Sequence, residues 1–488
     1  MDFNKLKLAG ILMGNNSGSK VLKASVVYIL VSLVNKGIGI ITVPVFTRLL
    51  TTEEMGTVTT WISWLTVLTP ITSLSLVSGS IYIAMNEYSD RREAYQSSVL
   101  TLTSIISSMC LVIYVLFHSY LNQLFMLPTT LMIFMFIYLF FSPALDMWML
   151  RQRYEYNTKK MALVTLASNL SASIVAVVLV LILQDEPYDL GNIRIFATYT
   201  ITGIFALFCY FKIFRTGKVM FNKEFWNFGI KLSAPLMVHT LAKNILDVSD
   251  RSMISLYCGK GDVGIYGTIY SISTLSLIVW NSINSAFVPY LYEKLEHGGE
   301  EDTRDITKLT YIMIFLYAIV CIGLTAVAPE LVRILTTEEY YEAIYIIPPL
   351  SAGIFLTCVY NIFSNVVLFH KKSVGIMCST VVAAAINISL NAVFIPMYGY
   401  IAASYTTLAA FVVLAISQGI VMVHIHDKKL YDMKMIAFIS TIVVMLCVAF
   451  NVLYRSTLIR YLVILVLAIV IFASKKSIVR VLSKLKGN

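Results

Sequence analysis

Four ionisable residues fall at spacings of four, four and three along one otherwise apolar stretch: His239, Lys243, Asp247 and Asp250, with Arg251 next to the last. At 3.6 residues per turn they occupy a sector of about 80° on one helix face. A charge in bilayer hydrocarbon costs roughly 2.5–3.5 kcal/mol on insertion scales, so such a stripe must meet protein or water. Two uses of it are open. Lys243 and Asp247 could neutralise each other, with Asp247 also reaching Arg251, and so pin the helix in a bundle. Alternatively, the lysine attracts an anionic substrate in a wet cavity while Asp247 and Asp250 carry a coupling proton or ion. His239 fits either a share in that chemistry or a simple interhelical hydrogen bond. Lys36 stands mid-way along an earlier apolar stretch beside Asn35, and its own helix supplies no acid within reach. Amides recur one turn apart at Asn281 and Asn284, Asn361 and Asn365, and Asn387 and Asn391. Such pairs commonly join helices within a bilayer, while Asn35, Asn281 and Asn284 are the ones placed to line a polar cleft.

These residues sit in a chain of 488, of which 58% are hydrophobic and 13% charged. A soluble domain carries about 25% charge, and the mean hydropathy of +0.79 points the same way. The expected fold is all-α and polytopic, because long apolar runs do not match the alternation of an outer-membrane barrel. Hydropathy places fourteen spans near 24–47, 58–84, 97–118, 125–147, 161–183, 195–214, 229–250, 264–290, 309–332, 346–369, 374–394, 401–424, 435–453 and 460–474. With the N-terminus inside, the inner segments and span ends hold 28 of the 37 Lys and Arg, against seven on the outer side. That bias fixes the orientation, both termini cytoplasmic, and accounts for the net charge of +10 as positive-inside charge facing anionic lipid. Nucleic acid is not an expected partner. The polar residues 1–23, with Lys5, Lys7, Lys20 and Lys23, show no small-residue cleavage pattern of a removable signal.

A shift of 208 residues aligns Glu54-Met55-Gly56 with Asp262-Val263-Gly264, Thr60 with Thr268 and Ser63 with Ser271. It also brings Lys36 within one residue of Lys243. The expected organisation is a cytoplasmic N-terminus at 1–23, six-helix bundles at 24–228 and 229–433, two appended helices at 434–474 and a basic cytoplasmic tail at 475–488. Six spans is an even number, so the copies share an orientation and an axis along the membrane normal, with spans one and seven lining a central cleft. Repeated halves around a cleft describe a transporter. Pro44, Pro70, Pro143 and Pro235 would bend their spans. Trp148 and Trp226, near span ends, read as interfacial anchors.

Other chemistry is excluded by what the loops hold. The longest inner one, near 291–308, is acidic, and the outer ones have about ten residues, leaving no room for a catalytic domain. The seven Cys show no disulfide or zinc spacing. No glycine-rich phosphate loop is present to hydrolyse a nucleotide, and no cofactor is implied.

Several stretches, taken in order, resemble the polysaccharide flippases, the Wzx-type O-antigen and capsule transporters of the multidrug/oligosaccharidyl-lipid/polysaccharide (MOP) exporter superfamily. They are Asn35-Lys36-Gly37 through Pro44, Thr47-Arg48-Leu49-Leu50-Thr51 with Glu54-Met55-Gly56, and Ser249-Asp250-Arg251 followed by Gly264-Ile265-Tyr266. Further along come Tyr340-Tyr341 before Ile347-Pro348-Pro349, and Asn387 through Pro396, Tyr398 and Gly399. The resemblance spans essentially the whole chain. It implies a MATE-like fold and transfer of a glycan on undecaprenyl pyrophosphate across a bacterial plasma membrane, with a polysaccharide polymerase and assembly proteins as further partners. A diphosphate needs cations in a wet cleft, and Lys36, Arg48, Lys243 and Arg251 are available. The rivals are a multidrug or organic-cation antiporter of the same superfamily, a lipid II flippase, and a membrane-embedded glycosyl polymerase or ligase. Drug-exporting relatives tend to carry an acid in span one, where this chain has Lys36. The polymerase would need a large outer loop bearing acids.

Overall fold

The computed structural model describes residues 16–426 and 430–473. Lys5, Lys7 and the expected basic tail 475–488 lie outside the described residues. Every regular element among them is helical. In chain order these are α1 (Asn16–Leu49), α2 (Thr52–Ser73), the short α3 (Leu76–Gly79) and α4 (Ile81–Glu87), then α5 (Arg92–Phe125), α6 (Thr129–Tyr154), α7 (Thr158–Leu183) and α8 (Leu190–Gly217). There follow α9 (Lys223–Tyr257), α10 (Lys260–Ser273), α11 (Ser276–His297) and α12 (Glu300–Leu335). A 3₁₀ segment (Glu338–Ile346) leads into α13 (Ile347–Phe369), and α14 (Ser373–Tyr398), α15 (Tyr400–Ile425), α16 (Met433–Leu453) and α17 (Thr457–Ala473) complete the chain. Lipid offers no partner to a free N–H or C=O, so an apolar chain of this kind satisfies its backbone within helices.

Among the described residues ten helices are long and apolar enough to cross a bilayer, and α10 with α11 make an eleventh span bent by 43°. The protein is thus an all-α, multi-pass membrane protein. The other three expected spans fall on elements with a physical reason to differ. α9 carries the charged stripe, α17 has a shorter apolar run, Thr457–Val466, and span two is broken into α2, α3 and α4. The break lies at Leu74 and Ser75, both left-handed at φ 47° and 50°. Residues without the freedom of glycine hold that conformation only at a cost of about 1–2 kcal/mol each.

Contacts divide the chain into two compact units, Met1–Val45 with Leu68–Met237, and Phe46–Val67 with Val238–Asn488. The three changes of unit occur inside α1, α2 and α9, each within three residues of a proline, Pro44, Pro70 or Pro235. A proline removes an i→i−4 hydrogen bond and bends the helix there.

In the first unit α5 to α8 pack in neighbouring pairs around Leu76, Tyr95, Leu100, Met147, Cys209 and Phe225. Gly79 sits against Ser233 so closely that a β-carbon would lie 2.6 Å from the serine hydroxyl. Trp226 donates from its indole to the Ser98 carbonyl (2.9 Å), while Trp148 is buried with the Lys212 ammonium 5.4 Å over its ring. Trp148 is therefore a core residue and not an interfacial anchor. Apolar side chains such as Met109, Leu116, Leu163, Ile174 and Ile182 point outward, as a lipid-facing surface requires.

The second unit is built on α13, which is buried along nearly its whole length against α12, α15 and α16. Thr51 and Glu54 form a reciprocal capping box at the start of α2. α16 and α17 pack on α12, and α16 also on α13. Arg460 of α17 is 4% exposed and makes a two-point contact with Glu330 of α12, with a further bond to the Ala326 carbonyl (3.2 Å). The Tyr461 hydroxyl donates to the same Glu330 carboxylate at 3.0 Å.

Candidate functional site

The stripe on α9 exists because four polar side chains share one face of a helix whose other faces, at Ala242, Leu246 and Val248, are buried. Lys243 Nζ lies 2.7 Å from Asp247 Oδ2, an i,i+4 ion pair whose side chains are 46% and 32% exposed. Asp250, by contrast, is buried. It accepts a hydrogen bond from the Tyr266 hydroxyl on α10 and another from the Arg251 backbone N–H (2.8 Å). Arg251 does not pair with Asp247 among the described residues; its guanidinium lies 4.6 Å from the centroid of Tyr270. That stacking leaves the planar fork of donors unspent on a carboxylate, and its Nε, buried, has no hydrogen-bond partner. His239 is half-buried and its Nδ1 is likewise without a partner.

Immediately before Asp250 on α9, Ser249 donates to Asn387 Oδ1 (2.9 Å) on α14. Asn391 Nδ2 donates to the same oxygen (3.1 Å), and the Thr406 hydroxyl of α15 donates to Asn391 Oδ1. Asn387 and Asn391 are fully buried, so this chain of amides and hydroxyls ties three helices together where an unpaired amide would cost about 1–3 kcal/mol. Asn284 is joined in the same manner, its Oδ1 accepting from Asn365 Nδ2 at 2.8 Å, whereas Asn281 is exposed. Arg48 at the end of α1 donates to the Ile334 carbonyl (3.1 Å), beside the bond from Thr47 to the Leu335 carbonyl (3.1 Å).

Lys36 and Asn35 belong to the first unit. Lys36 is exposed and, among the described residues, no hydrogen bond or ion pair holds it; Asn35 Oδ1 is buried without a partner. The structure thus brings together Lys243 with Asp247 and Asp250 with Arg251. His239 lies one turn before Lys243 on the same helix, whereas Arg48 and Asn284 each stand in separate surroundings within the second unit. Tyr266 and Tyr270, one turn apart on α10, are the partners that sequence reasoning missed, although their i,i+4 spacing was a usable signal. Nothing in the sequence near Arg460 announces its partner Glu330, 130 residues away.

Chemically, the second unit offers on α9 the exposed cation Lys243, balanced by Asp247, and beside it the Arg251 guanidinium stacked on Tyr270; the first unit offers the exposed cation Lys36. Among the described residues no group of three or more His, Cys, Asp or Glu could hold a metal ion.

Comparison with known proteins gives a consistent picture. The family described as "Polysaccharide biosynthesis protein" matches residues 21–295, and the MatE family matches 235–393. No curated protein sequence matches the chain. Among solved structures, the lipid II flippase MurJ in an inward closed conformation is similar over 92% of this chain and 99% of its own, with a TM-score of 0.65 at 15% identity. An inward-facing multidrug resistance MATE family transporter of the MOP superfamily is similar over 80% of this chain and 95% of its own, with a TM-score of 0.56 at 13% identity. An outward-facing one covers 83% and 94%, at a TM-score of 0.56 and 14% identity. Likeness at such identities establishes the fold. The family match extends over more than half of the chain and includes the whole of the α9 stripe and Lys36, so this chain belongs to the polysaccharide biosynthesis protein family and has the fold of the MOP-superfamily flippases and transporters.

Proposed function

We propose that this protein is a non-enzymatic flippase for surface polysaccharide. It moves oligosaccharide repeat units linked to undecaprenyl pyrophosphate from the inner to the outer leaflet of a bacterial plasma membrane by alternating access, with both termini cytoplasmic. The observation that carries the reading is Lys36, a cation in the first span of a chain of this family that is exposed and has no ion-pair partner among the described residues. A diphosphate is the ligand chemistry that such a cation selects, since charge-assisted bonds to phosphate oxygens offset the cost of keeping it within the bilayer. Lys243, Arg48 and Arg251 would add to the positive field, with Asp247 and Asp250 balancing charge or carrying a coupling ion. An organic cation would be repelled by Lys36, which weighs against a drug antiporter. Lipid II shares the polyprenyl diphosphate, and the similarity to a lipid II flippase keeps that cargo as the second reading. Polymerase and assembly proteins are the partners this role would bring.

The test is mass spectrometry of lipid extracts from a strain lacking the protein, with spheroplasts treated with a membrane-impermeant glycosidase. A polyprenyl-diphosphate oligosaccharide protected on the inner leaflet, with surface polymer lost and restored by the wild type but not by Lys36→Ala, is the expected result. Intact surface glycan with no trapped lipid would refute the reading.

A further inference from the structure

The start of α2 and the start of α10 cross at two glycines. A β-carbon on Gly56 would overlap the carbonyl oxygen of Lys260 and lie 2.6 Å from its carbon. One on Gly264 would overlap the carbonyl oxygen of Thr52 and lie 2.7 Å from the Gly56 nitrogen. Residues 52 and 260, like 56 and 264, are 208 apart, so the contact is reciprocal: each glycine receives the carbonyl of the residue four before the other. The next turn repeats the pattern, with Thr59 meeting Gly267, its own counterpart. Thr60 and Ser63 on one helix and Thr268 on the other are buried below the crossing. The segment 46–67 that carries the start of α2 groups with the second unit, and Pro44 and Pro70 flank it.

We infer that this glycine crossing is the outer closure of the transport path, which must part whenever the path opens outward. Both helices begin at the end that the Lys and Arg distribution assigns to the outside. Backbones this close exclude any side chain, water or sugar between them. The segment 46–67 is the moving arm, bending at its two prolines and docking by Thr47, by Arg48 and by the bond from Asn244 to the Thr66 carbonyl (2.8 Å). The inference rests on the transporter reading, and its test separates the two.

In the full chain, with its native cysteines replaced, Thr59→Cys and Gly267→Cys would place β-carbons 3.2 Å apart, near the separation of about 3.5–4.5 Å in disulfides. Oxidation in native membranes should cross-link the pair and lower surface glycan at least tenfold, with recovery on reduction. Failure to cross-link, or a cross-link with export unchanged, would overturn the closure. A second measurement needs no cargo. Ser63→Cys should react slowly with a membrane-impermeant maleimide applied from outside, and at least fivefold faster when Gly264→Ala is added to wedge the crossing. Unchanged labelling in a membrane-inserted variant would also overturn it. Faster labelling in a strain whose glycan export does not depend on this chain would leave the closure standing and refute the cargo.

Discussion

Removing Lys243 alone, and then together with its partner acid, distinguishes a cation that binds cargo from one that merely neutralises a neighbour. In the wild type the pair is half-exposed at 2.7 Å, so an approaching diphosphate meets little net charge. Lys243→Ala leaves Asp247 as a bare carboxylate. With a phosphate at about 7 Å and an effective permittivity between 20 and 80, the repulsion is roughly 0.6–2.4 kcal/mol, or about three- to sixtyfold in affinity. The double variant Lys243→Ala/Asp247→Ala removes that repulsion and should regain most of the loss. Asp247→Asn frees the lysine and should bind as tightly as the wild type or tighter. The direct contribution of the pair to stability is small, about 0.2–1 kcal/mol, so folding should not confuse the result. The assay is binding of a short-chain polyprenyl diphosphate to purified protein, read beside surface glycan in cells. A double variant as weak as Lys243→Ala alone, or wild-type binding by Lys243→Ala, would refute the electrostatic account. Tight binding by Asp247→Asn with glycan export abolished would instead identify Asp247 as the carrier of a coupling ion.

Three further outcomes follow from packing. Arg460→Met strands the Glu330 carboxylate and removes two or more charge-assisted bonds. It should cost about 2–4 kcal/mol in reversible detergent unfolding, with Arg460→Met/Glu330→Leu milder than the single change. Leu74→Gly relaxes a left-handed residue and should raise stability by about 1 kcal/mol in the same titration; a loss would show that the leucine side chain outweighs its backbone. Asn391→Leu leaves Asn387 and Thr406 short of a partner and should cost about 1–3 kcal/mol, whereas Asn281→Leu, at an exposed amide, should be nearly neutral.

Hydropathy made the helical, multi-pass fold legible, because the bilayer leaves few alternatives to an apolar run of about 20 residues. The i,i+4 rule likewise placed Lys243 on Asp247, and the amide pairs did join helices at Asn365 and Asn391. Other features escaped for physical reasons. The break at Leu74 has no glycine to announce it, since tertiary packing forces the conformation. Arg251 had Asp247 within reach yet lies over Tyr270, and that choice depends on how α10 meets α9. Trp148 stands near the end of an apolar run, and only the fold shows that Lys212 covers it from α8. The proline positions were plain in the sequence, but their placement beside each change of unit required the contacts.

The reciprocal meeting of Gly56 with Lys260 and Gly264 with Thr52 has the self-complementarity of a homodimer interface, in which each subunit offers the patch that it receives. Here both patches lie on one chain. A surface that fits its own counterpart needs only one kind of patch to make a close backbone contact, and the exchange of glycine for threonine between positions 267 and 59 is where the two patches differ.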